Sequence, residues 1–222
     1  MDSDFLPSLA EITLRSLGVS LSAVALASAL AVPFGIWLAV TRFRARGAVV
    51  AVLNAFMGLP PVVVGLVLYL LLSRAGPFGV LQLLFTPWAM ILAQLIIVLP
   101  LIASITHQAM EALWEEYREL LTSLGARKGA SMAILAYDGR RALLTAALAG
   151  FGRAIGEVGA ILIVGGNIDH LTRVLTTAIT LETSKGNLLF AVALGAVLVS
   201  ISLLVSAALH LLARQPQGAR PW

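Results

Sequence analysis

The sequence predicts an all-α integral membrane protein, a single domain over residues 1–222 with about five transmembrane helices. Three observations predict it. Of the 222 residues, 59% are hydrophobic and 12% charged, whereas a soluble domain carries about 25% charged residues. Several uncharged stretches exceed the roughly 20 apolar residues that a helix needs to cross a hydrocarbon core about 30 Å thick. The cations also collect in alternate loops, which is the signature of membrane orientation.

The stretches are taken in order. Uncharged residues run over 16–41 and 47–73, separated by Arg42, Arg44 and Arg46. They predict spans over about 16–41 and 48–73. Pro60-Pro61 should break the second, and Pro33 a kink in the first, because proline lacks an N–H and clashes with the preceding turn. Gly76, Pro77 and Gly79 interrupt the next stretch, so the third span is expected over 87–106, after a short interfacial segment at 80–85. Pro100 falls within it. A wet, amphipathic loop follows at about 111–141, with nine charges from Glu115 to Arg141. Apolar sequence returns for spans at 142–166 and 187–213, separated by a polar stretch, and a polar tail at 214–222 reads as a frayed end.

These boundaries sort the cations. Arg42, Arg44, Arg46, Arg118, Arg127, Lys128, Arg140, Arg141, Arg214 and Arg220 fall on one side, and Arg15, Arg74, Arg173 and Lys185 on the other. The richer side is cytoplasmic by the positive-inside rule, which puts the N-terminus outside and the C-terminus inside. Four or six spans would mix the two groups. Asp2, Asp4 and Glu11 precede the first cation, the reverse of a signal peptide, so the first apolar run is expected to be retained. An odd span count without an internal repeat favours a homodimer with a path on its two-fold axis.

Enzymatic chemistry finds no support. The chain has no cysteine, no phosphate-binding Gly-Lys-Ser/Thr loop, no zinc-protease helix and no nucleophile elbow. His107, His170 and His210 are scattered near helix ends, where an interfacial histidine is ordinary. A secondary transporter should carry ionisable residues in several spans, and here only Arg153 and Glu157 do so.

The loop at 111–141 holds Tyr117-Arg118-Glu119-Leu120-Leu121-Thr122-Ser123-Leu124-Gly125-Ala126, two amphipathic turns stopped by a glycine suited to a helix C-terminus. It resembles the cytoplasmic loop of ABC importer permeases, in which a Glu and two small or apolar residues precede, by three further residues, a Gly. Glu119, Leu120, Leu121 and Gly125 occupy those places, and Leu124 and Ala126 flank the glycine. Further on, Leu135, Tyr137 and Asp138 stand where the family pattern has an apolar residue and a Leu-Pro pair. The segment from Gly150 to Gly166, together with Thr172-Arg173-Val174 and Leu181-Glu182-Thr183-Ser184-Lys185-Gly186, is similar to permeases for molybdate, sulfate and tungstate, most of all the tungstate type.

That resemblance implies a type I ABC importer permease fold, with a coupling helix docking into a cytoplasmic ATPase subunit through Glu119, Leu120, Leu121, Leu124, Gly125 and Ala126. It implies two copies of the permease, two ATPase subunits and an extracytoplasmic oxyanion-binding protein, with surrounding lipid and no nucleic acid. ATP and Mg would belong to the ATPase, leaving this chain without a cofactor or metal. Tungstate is the first expectation for the cargo, then molybdate, then sulfate. Read from the residues themselves, Gly152, Gly156 and Gly159 place small residues on one helical face for close packing. Arg153 and Glu157, four apart, can meet. A structural ion pair and a place on the substrate path both remain open for them.

Overall fold

The computed structural model describes residues 5–213. Residues 1–4, and the tail at 214–222 with Arg214 and Arg220 of the cation pattern, lie outside it, as does the expected fraying. The described chain forms nine α-helices: α1 (Phe5–Val40), α2 (Arg46–Met57), α3 (Pro61–Leu72), α4 (Pro87–Ser123), α5 (Lys128–Asp138), α6 (Arg140–Ile155), α7 (Gly159–Gly165), α8 (Leu175–Ser184) and α9 (Leu188–Ala213). Three of them, α1, α4 and α9, are each long and apolar enough to cross a membrane. The count rises to five if the bent pairs α2–α3 and α6–α7 are each one span.

The core is the seam between α1 and α4. Ala23, Ala27 and Ala31, four residues apart on α1, are fully buried, as are Ala89, Ala93 and Ala103 on α4. Small residues let two backbones approach closely where lipid supplies no hydrophobic drive. The seam extends to Gly35, where a Cβ would fall 2.8 Å from Thr106 Cγ2. Two more glycines are held by contact: a Cβ on Gly65 would lie 2.8 Å from Ala160 Cα, and one on Gly150 would lie 2.6 Å from Ile102 Cδ1. At the other extreme, α9 turns Leu189, Val199, Leu203 and Leu204 outward, as a helix bathed in lipid should.

Several expected boundaries move. The first helix starts at Phe5 rather than 16, because Glu11 and Arg15 are one turn apart and pair at 2.6 Å, so the charges do not stop it. The third begins at Pro87 as expected but continues for 37 residues to Ser123. Charged residues from Glu111 to Glu119 therefore ride on a helix that has left the apolar stretch, and the loop expected at 111–141 is helical through most of its length. Both α1 and α4 continue through Pro33 and Pro100. The second stretch breaks at Gly58, Leu59 and Pro60, with a bend of 96°. The interfacial segment at 80–85 is a 3₁₀ turn over Gly79–Leu81, followed by Phe85, whose N–H donates to Val164 O at 2.8 Å.

The largest correction concerns Gly152, Gly156 and Gly159, which do not share one helical face. Gly156 caps α6 and Gly159 opens α7 after a bend of 63°. Gly152 would bring a Cβ only into ordinary contact with Val205 of α9, and Gly156 is exposed. Of the three only Gly159 is tightly packed, with the Cβ position 2.7 Å from Val62 Cγ2 of α3. The polar stretch before the last helix contains α8, which the sequence reading did not anticipate.

Candidate functional site

The end of α4 shows how a local sequence builds a turn. Gly125 has φ 67°, a left-handed conformation that glycine adopts at little cost. Its N–H donates to Thr122 O at 3.0 Å, and the N–H of Ala126 donates to Leu121 O at 2.9 Å. This paired pattern satisfies the orphan carbonyls of a helix end and reverses the chain. No atom lies within 4 Å of where a Gly125 Cβ would sit, so the glycine is there for its backbone and not for packing.

The turn feeds α5, which lies back against α4. Leu135 is fully buried beside Met110, Ile36 and Val40. The Tyr117 hydroxyl donates to Asp138 Oδ2 at 2.6 Å, and that bond to the carboxylate raises the Tyr117 pKa above the ordinary phenol value. The residues that depart from the family pattern thus hold the exit of the segment: Leu135 by burial and Asp138 by its bond to Tyr117. Of the six residues expected at this contact surface, Leu121 is buried, Ala126 is half-buried, and Glu119, Leu120, Leu124 and Gly125 are exposed. The exposed apolar surface continues on α5 through Ile134 and Tyr137. The Arg140 guanidinium lies 4.7 Å from the Tyr137 ring centre.

A second cluster joins the start of α2 to α1 and α4. Arg46 Nε donates to Leu38 O at 2.9 Å, and its Nη2 donates to Glu111 Oε1 at 2.5 Å and lies 3.1 Å from His107 Nε2. His107 is 4% exposed, so it is a buried member of a polar hub and not an ordinary interfacial histidine. In the sequence Arg46 stood out only as one of the cations that orient the chain, and Glu111 not at all. Their 65-residue separation leaves no local pattern, although a cation that opens a helix beside an apolar run was a usable hint.

Arg153 and Glu157 do meet: Arg153 Nη1 donates to Glu157 Oε2 at 2.8 Å. The pair is asymmetric, with the Arg153 side chain 37% exposed and that of Glu157 5% exposed. It sits at the α6–α7 break, where three of the freed backbone groups find side-chain partners. Ala160 N–H donates to Glu157 Oε1 at 3.3 Å, Thr176 Oγ1 donates to Glu157 O at 2.8 Å, and Gln94 Nε2 donates to Ala154 O at 2.8 Å. Gln94 is 1% exposed; like Thr176, it belongs to the site and was missed by sequence reasoning.

On the opposite end, Arg15 Nη2 donates to His170 O at 2.7 Å, and His170 Nδ1 lies 3.1 Å from both Glu11 carboxylate oxygens. Arg173 pairs with Asp169 at 2.7 Å. Thr172, fully buried, donates to Gly165 O and accepts from Ile168 N–H, which pins the turn between α7 and α8. These contacts tie the start of α1 to the turn between α7 and α8.

The arrangement is a helical membrane body with an apolar outer belt, polar clusters at both ends, and a turned helix projecting at the end richer in cations. Residues 31–216 match the family model described as the binding-protein-dependent transport system inner membrane component. The chain is 44% identical over 204 residues to a probable anion ABC transporter permease protein of Haloferax volcanii, covering 90% of this chain and 88% of that protein. It is 39% identical to the tungstate uptake system permease protein TupB of Peptoclostridium acidaminophilum, covering 93% of this chain and 90% of that one. To the protein of the same name in Campylobacter jejuni it is 36% identical, covering 78% and 72%. With an all-helical body and a match over most of its length, the chain belongs to the family of inner membrane components of binding-protein-dependent transport systems, and within it to the ABC transporter permeases for anions.

Proposed function

We propose that this permease carries a tetrahedral oxyanion, tungstate foremost, across the cell membrane, with molybdate and sulfate as weaker cargoes. The observation that carries the reading is likeness over most of the chain to two permeases named for tungstate uptake. It works as a pair of identical chains, each making five crossings with its N-terminus outside and its C-terminus in the cytoplasm. The cation pattern supports this orientation: Arg46, Arg118, Arg127, Lys128, Arg140 and Arg141 all belong to the end that carries α5. An extracytoplasmic binding protein delivers the anion, and two ATPase subunits, which hold ATP and Mg, drive the cycle.

The lever is α4, Gly125 and α5. Because α4 is continuous from Pro87 to Ser123, a displacement at its cytoplasmic end is carried along a rod about 55 Å long at 1.5 Å per residue. The ATPase contact comprises Glu119, Leu120 and Leu124, the turn at Gly125, and the exposed Ile134 and Tyr137 of α5. ATP-driven closure of the ATPase pair moves these segments together and opens the permease pair outward; hydrolysis returns it inward. The test is uptake into proteoliposomes holding the permease, its cognate ATPase and the loaded binding protein. ATP-dependent tungstate uptake, with molybdate and sulfate competing more weakly, is the expected result. Uptake of sulfate in preference to tungstate would overturn the cargo, and uptake without ATP would overturn the mechanism.

A further inference from the structure

Four polar side chains converge on one small cavity inside the helical body. Ser16 and Ser20 reach it from successive turns of α1, Gln94 from α4 and Thr176 from the first turn of α8, and Ile155, Ile161 and Val174 help to close it. Every one of these residues is buried, Gln94 most deeply at 1% exposed. The cavity measures about 10 Å³ as room for the centre of a water molecule, and roughly 10–15 Å³ is the least that holds one. A hydrated ion or a tetrahedral oxyanion does not fit.

The hydrogen bonds already made fix what each group has left. Gln94 Nε2 donates to Ala154 O at 2.8 Å and to Ser20 Oγ at 3.2 Å. A carbonyl can only accept, so the amide nitrogen must face Ala154 and the amide cannot be turned over. Gln94 Oε1 is then a buried acceptor that no donor among the described residues reaches, and a buried polar atom is rarely left without a partner. Ser16 Oγ accepts the N–H of Leu175, the first residue of α8, at 2.6 Å. Neither serine hydroxyl gives its proton to an acceptor among the described residues. Thr176 Oγ1 donates to Glu157 O at 2.8 Å and keeps its lone pairs. What remains is two O–H donors and two acceptors, the complement of a water's two lone pairs and two protons.

We propose that this cavity binds one internal water, which donates to Gln94 Oε1 and Thr176 Oγ1 and accepts from the Ser16 and Ser20 hydroxyls. No carboxylate lines the cavity, so a bare cation there would carry an uncompensated charge, whereas water carries none. The role of the water follows from its partners. Gln94 and Thr176 are the side chains that satisfy Ala154 O and Glu157 O at the α6–α7 break, and the water ties both of them to α1. Elements far apart in the chain are thereby held in register through one molecule, whatever the cargo of the permease.

X-ray radiolysis read by mass spectrometry tests the site in the full detergent-solubilised protein, because hydroxyl radicals formed from an internal water oxidise the side chains beside it. Ile155 and Ile161 should be oxidised at least fivefold faster than Ile102, which is buried away from the cavity. Ser20→Val puts a methyl group into the cavity and removes one donor, and the folded variant should lose that excess. Should Ser20→Val not fold, a density map of the unmodified protein decides: a peak within about 3.2 Å of both Gln94 Oε1 and Thr176 Oγ1 is the distance that a water keeps. Equal oxidation of the three isoleucines, or the lack of that peak in a map that shows other internal waters, would overturn the proposal. A peak with contacts clearly shorter than hydrogen bonds, in a protein whose melting temperature rises with sodium but not with choline, would show a bound cation and overturn it as well.

Discussion

Two of the sharp bends in the chain solve one problem by opposite means. At Gly125, beyond the apolar stretch of α4, the freed carbonyls of α4 are satisfied by N–H groups three to five residues away, and open space surrounds the glycine. At the α6–α7 break, partners come from 19 residues away in Thr176 and 60 residues away in Gln94, and a buried carboxylate caps Ala160. The difference follows from the solvent. A bend in water needs only a local geometry, since water supplies whatever the chain does not, whereas a bend in hydrocarbon must collect its partners from the rest of the fold.

The largest effect expected from this contrast is at Arg153 and Glu157. Arg153→Gln strands a carboxylate that is 5% exposed, and removing one partner of a buried pair costs about 3–5 kcal/mol. Partial exposure of Arg153 places the loss near the lower end. Glu157→Gln should cost less, because the amide oxygen still accepts from Ala160 and Arg153 can reach water. Amounts of folded permease in the membrane should therefore fall further for Arg153→Gln than for Glu157→Gln, and the double change should recover part of the loss. Equal losses in both single variants would remove the asymmetry.

Thr176→Val keeps the side-chain shape but takes the donor from Glu157 O. An unsatisfied buried carbonyl costs about 1–3 kcal/mol, which should appear as a lower melting temperature of the detergent-solubilised protein. Gly125→Ala meets no neighbour, so its penalty is the left-handed backbone alone, about 1–2 kcal/mol. It should leave insertion intact and weaken the coupling of ATP hydrolysis to uptake, and Gly125→Asn should be milder. Wild-type coupling in Gly125→Val would argue against a role for this turn in the ATPase contact.

The smallest effect expected is at Tyr117. Its hydrogen bond to Asp138 lies at the surface, and Tyr117→Phe should change stability by no more than about 0.5 kcal/mol after solvent screening. Because the bond raises the Tyr117 pKa in the folded state, its contribution is fully present below the ordinary phenol pKa near 10 and is lost as pH rises through the shifted value. The difference between wild type and Tyr117→Phe should thus be constant around neutrality and vanish in strong alkali. A difference that grew with pH would contradict the bond.

Much of the molecule was legible in its sequence, and the reason is that membrane insertion reads composition. Long uncharged runs and the cation pattern indicated the apolar helices, and Pro60-Pro61 and Gly125 marked a break and a turn because proline and glycine act through their own backbones. Tertiary structure decided what depends on partners distant in the chain. It carried α4 past its apolar stretch to Ser123, since charges on one exposed helix do not end it. It placed Gly152, Gly156 and Gly159 on different surfaces, because the carbonyl of Glu157 and the N–H of Ala160 found partners that made a break affordable. It gathered Arg46, His107 and Glu111 into one hub. Spacing along a chain predicts contacts only while the helix continues, and a buried polar group, which must be paired wherever its partner lies, is settled by the fold as a whole.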